Sequence, residues 1–176
     1  MKKILKFLKC KDIDEVISKI KSYEINEELE QFRELMNTIV KGNIGKKDLT
    51  TVRGKTELLN YLRSDIGFKN TEEFKVIYLS SSNRLIGEET LFRGTIDRSV
   101  VYPRLIIERA LKYPTKGIIF AHNHPSGDLT PSRKDIDLTN ELKELLDVID
   151  IKLLDHIILG ETDYFSFYEN RLIEHL

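Results

Sequence analysis

The sequence predicts an α/β domain, a mixed β-sheet with flanking helices, preceded by a small helical segment. Three observations lead to this fold class. The first fifty residues place apolar side chains at helical spacing, and from Phe74 onward strand-like runs alternate with helix-like stretches. The run at 117–121 is continuously apolar, and the run at 152–160 is interpreted as another buried strand. Such runs are typical of strands that are covered on both faces, so helices are expected on both sides of the sheet.

The first fifty residues are predicted to be helical throughout. Asp12 is placed to cap a helix whose apolar side chains recur at helical spacing: Ile13, Val16, Ile17 and Ile20. Asn26, followed by two glutamates, opens a second helix, because acidic residues in a first turn interact favourably with the helix dipole. The glycines from Gly42 to Gly45 are expected to end it, and residues 43–53 to form a linker.

The remainder of the chain is predicted to contain the sheet. Its elements in chain order are a helix at 54–66, a strand at 74–80, one or two strands within 84–94, a helix from Pro103 to Pro114, a strand at 117–121, a helix at 131–146, a strand at 152–160 and its hairpin partner at 164–167. Pro103 suits a first helical position, where its missing N–H has no partner to lose. The predicted domains are therefore residues 1–50, a helical N-terminal segment, and residues 54–176, the domain that contains the sheet.

The composition is that of an ordinary globular protein. Hydrophobic residues make up 40% and charged residues 32%, with a net charge of −1, which argues against general disorder. The single cysteine excludes an internal disulfide and a cysteine-rich zinc module. No apolar run approaches the roughly 20 residues of a membrane span. We therefore expect a cytoplasmic protein without a membrane partner, in keeping with a reduced thiol.

Two histidines follow the apolar run at 117–121 and form the sequence His122-Asn-His124. Residues two apart on an extended chain point to the same side, so both imidazoles can reach one ion. Pro125 favours extended geometry in the residue before it. The pair also lies at the carboxyl end of a predicted strand, which is where open α/β sheets commonly bind their ligands. The spacing predicts that His122 and His124 share a metal.

Asp135 is the predicted third ligand. It begins a helical face that is otherwise apolar and continues with Leu138, Leu142 and Leu145. A carboxylate turned inward needs a cation or several donors, and a metal held by two histidines would satisfy it. Ser132 lies one turn earlier on the same face. Two histidines and one carboxylate leave a fourth position for water, the arrangement of a catalytic zinc site.

Hydrolysis at such a site also requires a residue that moves a proton. The residue patterns alone leave four glutamates open for this role: Glu72, Glu73, Glu88 and Glu89. Zinc, Zn²⁺, is the expected cofactor, because it lowers the pKa of a bound water to about 7.

The same residues carry a resemblance to a known family. The sequence His-Asn-His-Pro-Ser-Gly-Asp from His122, then Pro131-Ser-x-x-Asp135, resembles the signature of the RadC family. That family is similar to the JAMM (MPN+) metalloproteases, whose pattern is HxH, seven residues, Ser, two residues, Asp. The spacing here matches throughout. Further RadC-like sequences stand at 91–104, 153–160 and 164–167, so the resemblance covers about residues 54–173.

The resemblance implies a JAMM/MPN, cytidine-deaminase-like fold and a zinc hydrolase of amide or isopeptide bonds. In JAMM enzymes a glutamate at the edge of an early strand is the acid/base, and a serine binds the developing oxyanion. Glu72, in the sequence Glu-Glu-Phe74, matches the first role and Ser132 the second. Asp155 and His156 match a further pair in the family, either of which is expected to orient a ligand or to form a structural pair.

The RadC resemblance also implies an alternative function, a DNA-associated repair or recombination factor that binds or cleaves nucleic acid. Residues 1–50 depart from the family in this respect. RadC proteins commonly carry a helix-hairpin-helix unit, whereas Val40-Lys-Gly-Asn-Ile-Gly45 has one residue too many between its glycines. The N-terminal helices are instead expected to dock on the metal domain, to pair with a second copy of the chain, or to recognise a protein or peptide partner.

Overall fold

The computed structural model describes residues 2–22, 27–45, 48–94, 103–160 and 162–174. The chain divides into two compact units, residues 1–42 and 43–176. The domain boundary near residue 50 stays a prediction, and the predicted opening of a helix at Asn26 lies outside the described residues. Within the described ranges, no helix is both long enough and apolar enough to cross a membrane.

Three helices begin the chain: α1 (Lys2–Phe7), α2 (Ile13–Ser22) and α3 (Glu27–Ile44). Asp12 caps α2 as predicted, since its Oδ1 accepts a hydrogen bond from the backbone N–H of Glu15 at 2.8 Å. The helix α3 ends at Ile44, directly before Gly45 and within the stretch predicted to end it, but it continues through Gly42 into the predicted linker at 43–53. One interior glycine costs a helix only about 1 kcal/mol relative to alanine, which is too little to end a helix of this length.

The second unit contains a five-stranded mixed sheet, so the predicted α/β class is confirmed. Its strands are β1 (Glu73–Leu79), β2 (Leu85–Arg93), β3 (Gly117–Asn123), β4 (Lys152–Leu159) and β5 (Tyr164–Ser166). The spatial order is β2-β1-β3-β4-β5. The β3–β4 pair is parallel, and the other pairs are antiparallel. The run at 84–94, predicted as one or two strands, forms the single strand β2.

Helices cover both faces of this sheet. On one face, α5 (Pro103–Lys112) and α6 (Arg133–Val148) pack against alternate residues of β1 and β3, including Phe74 and Phe120. On the other face, α4 (Val52–Leu62) continues into a π-helical turn (Arg63–Gly67). Leu58 of α4 lines a cavity there together with Ile119 of β3. Because side chains alternate along a strand, Phe120 and Ile119 point to opposite helical layers.

The buried face of α6 differs in part from the predicted one. The buried residues are Asp135, Thr139, Leu142 and Leu146, whereas Leu145 is 40% exposed. The helix begins at Arg133 rather than at Pro131, because Ser132 has extended backbone angles and acts as its N-cap. The observed spacing of i, i+4, i+7 and i+11 keeps a narrower stripe against the sheet than the predicted series did. Asp135 and Leu142 belong to both series.

Candidate metal centre

The carboxyl end of β3 carries both predicted histidines. His122 is fully buried, and His124 follows the strand with 16% of its side chain exposed. Their Nε2 atoms lie 3.0 Å apart. The intervening Asn123 points away from this pair and forms hydrogen bonds elsewhere, as strand alternation requires. The structure therefore brings the two imidazoles to one point.

A turn after β3 sets the direction of the His124 ring. The Nδ1 atom of His124 lies 2.5 Å from the backbone carbonyl oxygen of Asp128. A carbonyl oxygen only accepts hydrogen bonds, so Nδ1 carries the proton and the Nε2 lone pair faces His122. Gly127 has a φ of 77° within this turn, in the region that glycine adopts without strain.

The first turn of α6 brings Asp135 to the histidines. Its Oδ1 lies 3.6 Å from Nε2 of His122, and its Oδ2 lies 3.8 Å from Nε2 of His124. Asp135 is 4% exposed and forms a capping box with Ser132. In that box the Ser132 N–H donates to Oδ2 at 2.7 Å, and the Asp135 N–H donates to Oγ of Ser132 at 3.1 Å. The cap thus fixes the carboxylate at the site.

Glu72 immediately precedes β1 and reaches the same point from the other side. Its Oε1 lies 4.0 Å from Nε2 of His122. Ligand atoms of Glu72, His122 and His124 all lie within 4.8 Å of one another, so this set is also able to hold an ion. Asp135 lies closer than Glu72 to His122 and is more deeply buried, with 5% of its side chain exposed against 16%.

The other three glutamates considered for proton transfer form ion pairs with basic side chains: Glu73 with Lys69 and Arg93, Glu88 with Lys75, and Glu89 with Arg109. Glu73 follows Glu72 directly, but strand alternation turns its buried carboxylate the other way. Among the contacts of the described residues, the Glu72 carboxylate is the one of the four that approaches a site histidine.

The site opens to solvent through a cleft of about 340 Å³. The residues that line it are Glu72, His124, Ser132, Arg133, Lys134 and Asp135. His122 forms the closed end, where burial lowers its pKa to about 4. Its imidazole is therefore neutral at neutral pH, which is the form that binds metals. Two imidazoles and two carboxylates around one point favour a cation.

Two residues lie behind His122, and only Thr139 among them was given no site role from the sequence. Nδ1 of His122 lies 2.8 Å from Nε2 of His156 on β4, and Nδ1 of His156 lies 2.6 Å from Oγ1 of Thr139 on α6. The RadC resemblance singled out His156 together with Asp155, and left open whether either orients a ligand or the two form a structural pair. Thr139 belongs to no motif. The one feature that could have pointed to Thr139 is its position four residues after Asp135, on the buried face of the helix.

Asp155, the neighbour of His156, lies on the opposite face of β4. Its Oδ2 accepts a hydrogen bond from Oγ of Ser166 at 2.6 Å and forms an ion pair with Lys55 at 3.2 Å. Asp155 on β4 therefore connects α4, through Lys55, and β5, through Ser166. Of the Asp155–His156 pair, His156 is the member that contacts the site.

Comparison with known sequences gives a family match over most of the second unit. The profile of a family described as "RadC-like JAB domain" matches residues 52–172, which include every residue of the site described above.

Individual relatives agree with this match. A UPF0758 protein of Fusobacterium nucleatum is 48% identical over 127 residues, covering 72% of this chain and 55% of the relative. The UPF0758 protein YkfG of Escherichia coli is 45% identical over 113 residues, covering 64% of this chain and 72% of YkfG. A UPF0758 protein of Pseudomonas savastanoi is 40% identical over 124 residues, covering 70% of this chain and 55% of the relative. The aligned region thus spans little more than half of two of these relatives.

Proposed function

Because the chain belongs to the RadC-like JAB domain family, we propose that it is a zinc-dependent hydrolase that cleaves an amide or isopeptide bond. In this proposal His122, His124 and Asp135 hold the ion. Glu72 and Ser132 act on the substrate, and the cleft between them admits it.

The observation that carries the proposal is the contact of the two histidines. Their Nε2 atoms face each other at 3.0 Å, and the Asp135 carboxylate lies 3.6 and 3.8 Å from them. Two ligand atoms of a tetrahedral zinc with bonds near 2.0–2.1 Å are roughly 3.3 Å apart. The three separations lie on both sides of this value, so the donor set fits the ion. Imidazole and carboxylate are also ligands that zinc accepts.

With three protein ligands, zinc would leave its fourth position to water and lower the pKa of that water to about 7. The remaining chemistry belongs to the side chains of the cleft. Glu72 is placed to accept a proton as the nucleophile forms and to return it to the leaving nitrogen. Its partial exposure of 16% is compatible with transfer to a substrate that enters from the cleft.

Ser132 is proposed to stabilise the negative charge that develops on the substrate carbonyl oxygen. Its Oγ already accepts the helix-capping hydrogen bond from Asp135, so the hydroxyl hydrogen is left to donate. The N-terminus of α6 adds a favourable dipole at the same place. A preorganised donor of this kind contributes about 10²–10³-fold to turnover.

The first experiment is to measure zinc per chain in the purified protein by elemental analysis. We expect about one zinc ion per chain in the wild type and its loss in His122→Ala, because this histidine forms the closed end of the site. The wild type is then assayed on peptide, isopeptide-linked and DNA substrates, so that the alternative action on nucleic acid is tested alongside. A wild-type protein that takes up no zinc even after reconstitution would contradict the proposal.

A further inference from the structure

His156 forms two hydrogen bonds although no part of its ring reaches the cleft. The residue is fully buried on β4. It lies opposite Phe120 in the parallel β3–β4 register, so its side chain points to the same sheet face as His122. Its ring packs against Phe74, Phe120 and Phe167 at centroid distances of 5.7, 5.8 and 4.7 Å. This apolar packing leaves its two ring nitrogens directed at His122 and Thr139.

The hydrogen-bond partners determine where each proton lies. Oγ1 of Thr139 lies 2.5 Å from the backbone carbonyl oxygen of Asp135, which only accepts, so the hydroxyl hydrogen is used there. The contact of 2.6 Å between Oγ1 and Nδ1 of His156 then requires the proton on Nδ1. His156 is therefore left with a lone pair on Nε2.

The same reasoning extends by one step to the site. Nε2 of His156 lies 2.8 Å from Nδ1 of His122, so Nδ1 of His122 must carry a proton and donate it. The Nε2 atom of His122 then has a lone pair, and this is the atom that faces His124 and Asp135. The chain of hydrogen bonds begins at the backbone of Asp135 and returns to the site beside its carboxylate.

We propose that Thr139 and His156 form a positioning relay that holds His122 as the Nδ1–H tautomer, with its Nε2 lone pair directed into the site for a metal ion. The inference rests on the proposed function for the metal but not for the hydrolysis. Hydrogen bonds behind a ligating histidine fix its tautomer and ring orientation. Here the relay is longer by one residue, and it joins β3, β4 and α6.

The relay predicts the tautomers of the metal-free protein, which ¹⁵N–¹H correlation spectra of the imidazoles report directly. We expect His122 and His156 both to carry their proton on Nδ1. In Thr139→Val the acceptor behind His156 is lost, and His156 is expected to shift its proton to Nε2 and to drive His122 to the Nε2–H form. A wild-type His122 protonated on Nε2 would overturn the relay.

Metal affinity gives a second measurement, made by titrating Co²⁺ and following its visible absorption. We expect Thr139→Val to bind Co²⁺ about 10–100-fold more weakly, the usual effect of removing a partner behind a ligand. Thr139→Ser keeps the hydroxyl and is expected to bind like the wild type. The matched control is Thr115→Val, because Thr115 is also buried and its hydroxyl makes no hydrogen bond within the described part of the chain.

Failure of the relay and failure of the proposed function give different results. Equal Co²⁺ affinity of the wild type and Thr139→Val would overturn the relay and leave the zinc hydrolase intact. A wild type that binds Co²⁺ but cleaves no substrate would count against the hydrolase. The Co²⁺ affinities of the wild type and Thr139→Val would still test the relay. If the wild type binds no metal, the zinc site itself fails, and the tautomers of the metal-free protein decide whether the relay exists.

Discussion

At the scale of single residues, the adjacent glutamates Glu72 and Glu73 differ in the side chains that they contact. The Glu72 carboxylate lies 4.0 Å from Nε2 of His122, whereas the Glu73 carboxylate forms ion pairs with Lys69 and Arg93 at 3.3 and 3.5 Å. Alternation along the start of β1 accounts for the difference, because consecutive side chains point to opposite sides. Only the first of the two reaches the cleft.

Replacement of Glu72 is predicted to remove turnover without removing the metal. Glu72→Gln should lower kcat by about 10²–10⁴-fold, the usual contribution of a positioned general acid/base, and should still bind about one zinc ion per chain. The measurements are hydrolysis of a cleaved substrate and elemental analysis. The matched control is Glu73→Gln, which should retain both properties. A fully active Glu72→Gln variant would exclude this residue from proton transfer.

At the scale of secondary structure elements, the end of β3 organises more than its two histidines. Oδ1 of Asn123 accepts from the backbone N–H of Glu73 at 2.8 Å, and its Nδ2 donates to the carbonyls of Lys69 and Thr71 at 3.0 and 3.1 Å. These bonds hold the segment that leads into β1. The strand that presents the histidines therefore also positions the backbone on both sides of Glu72.

Asn123→Ala is predicted to affect stability and turnover more than metal affinity. Three hydrogen bonds of about 1 kcal/mol each are lost, so the free energy of unfolding should fall by about 3 kcal/mol. Turnover should fall because Glu72 is less well held, while His122, His124 and Asp135 keep their places. Urea denaturation, zinc titration and a hydrolysis assay measure the three quantities.

The control for this substitution is Asn170→Ala, which removes one side-chain hydrogen bond, from Nδ2 to the carbonyl of Ser166 at 2.8 Å. It should cost about 1 kcal/mol and leave turnover unchanged. A larger loss of zinc affinity than of turnover in Asn123→Ala would contradict the assignment of Asn123 to the Glu72 segment.

At the scale of the whole molecule, the site joins parts of the chain that are far apart in sequence. His122 and His124 come from β3, Asp135 from α6 and Glu72 from the segment before β1. An ion bound by His122, His124 and Asp135 together is bound by the folded state alone, so binding adds to stability.

Metal removal is therefore predicted to lower the melting temperature. At free zinc about 100 times above Kd, binding stabilises by about 2.7 kcal/mol, and 1 kcal/mol corresponds to about 2–4 °C for chains of this size. Chelation should thus lower Tm by roughly 5–11 °C in the wild type. The Tm of His122→Ala should not respond to the chelator, and an equal response in both proteins would exclude stabilisation through this site.

Patterns in the sequence are enough to predict the RadC family, the α/β class and most of the elements. The order of apolar runs and helical periods can be recognised in short stretches of sequence, so predicting it does not require the tertiary structure. The His122-x-His124 spacing is local in the same sense. The proximity of these histidines to Asp135 followed from strand alternation and helix periodicity. The zinc, the roles of these residues and the domain boundary stay predictions.

Other contacts between elements follow from no local pattern and depend on how the elements pack. The resemblance pointed to Glu72, and the approach of its carboxylate to His122 depends on the β1–β3 register, which pairs Phe74 with His122. The contact of His156 with His122 depends on the β3–β4 register, and that of Thr139 on the rotation of α6 about its axis. One step in register or a quarter turn of the helix would remove these contacts without altering any local pattern. Packing of the whole core selects the register and the rotation, so residues far apart in sequence decide them.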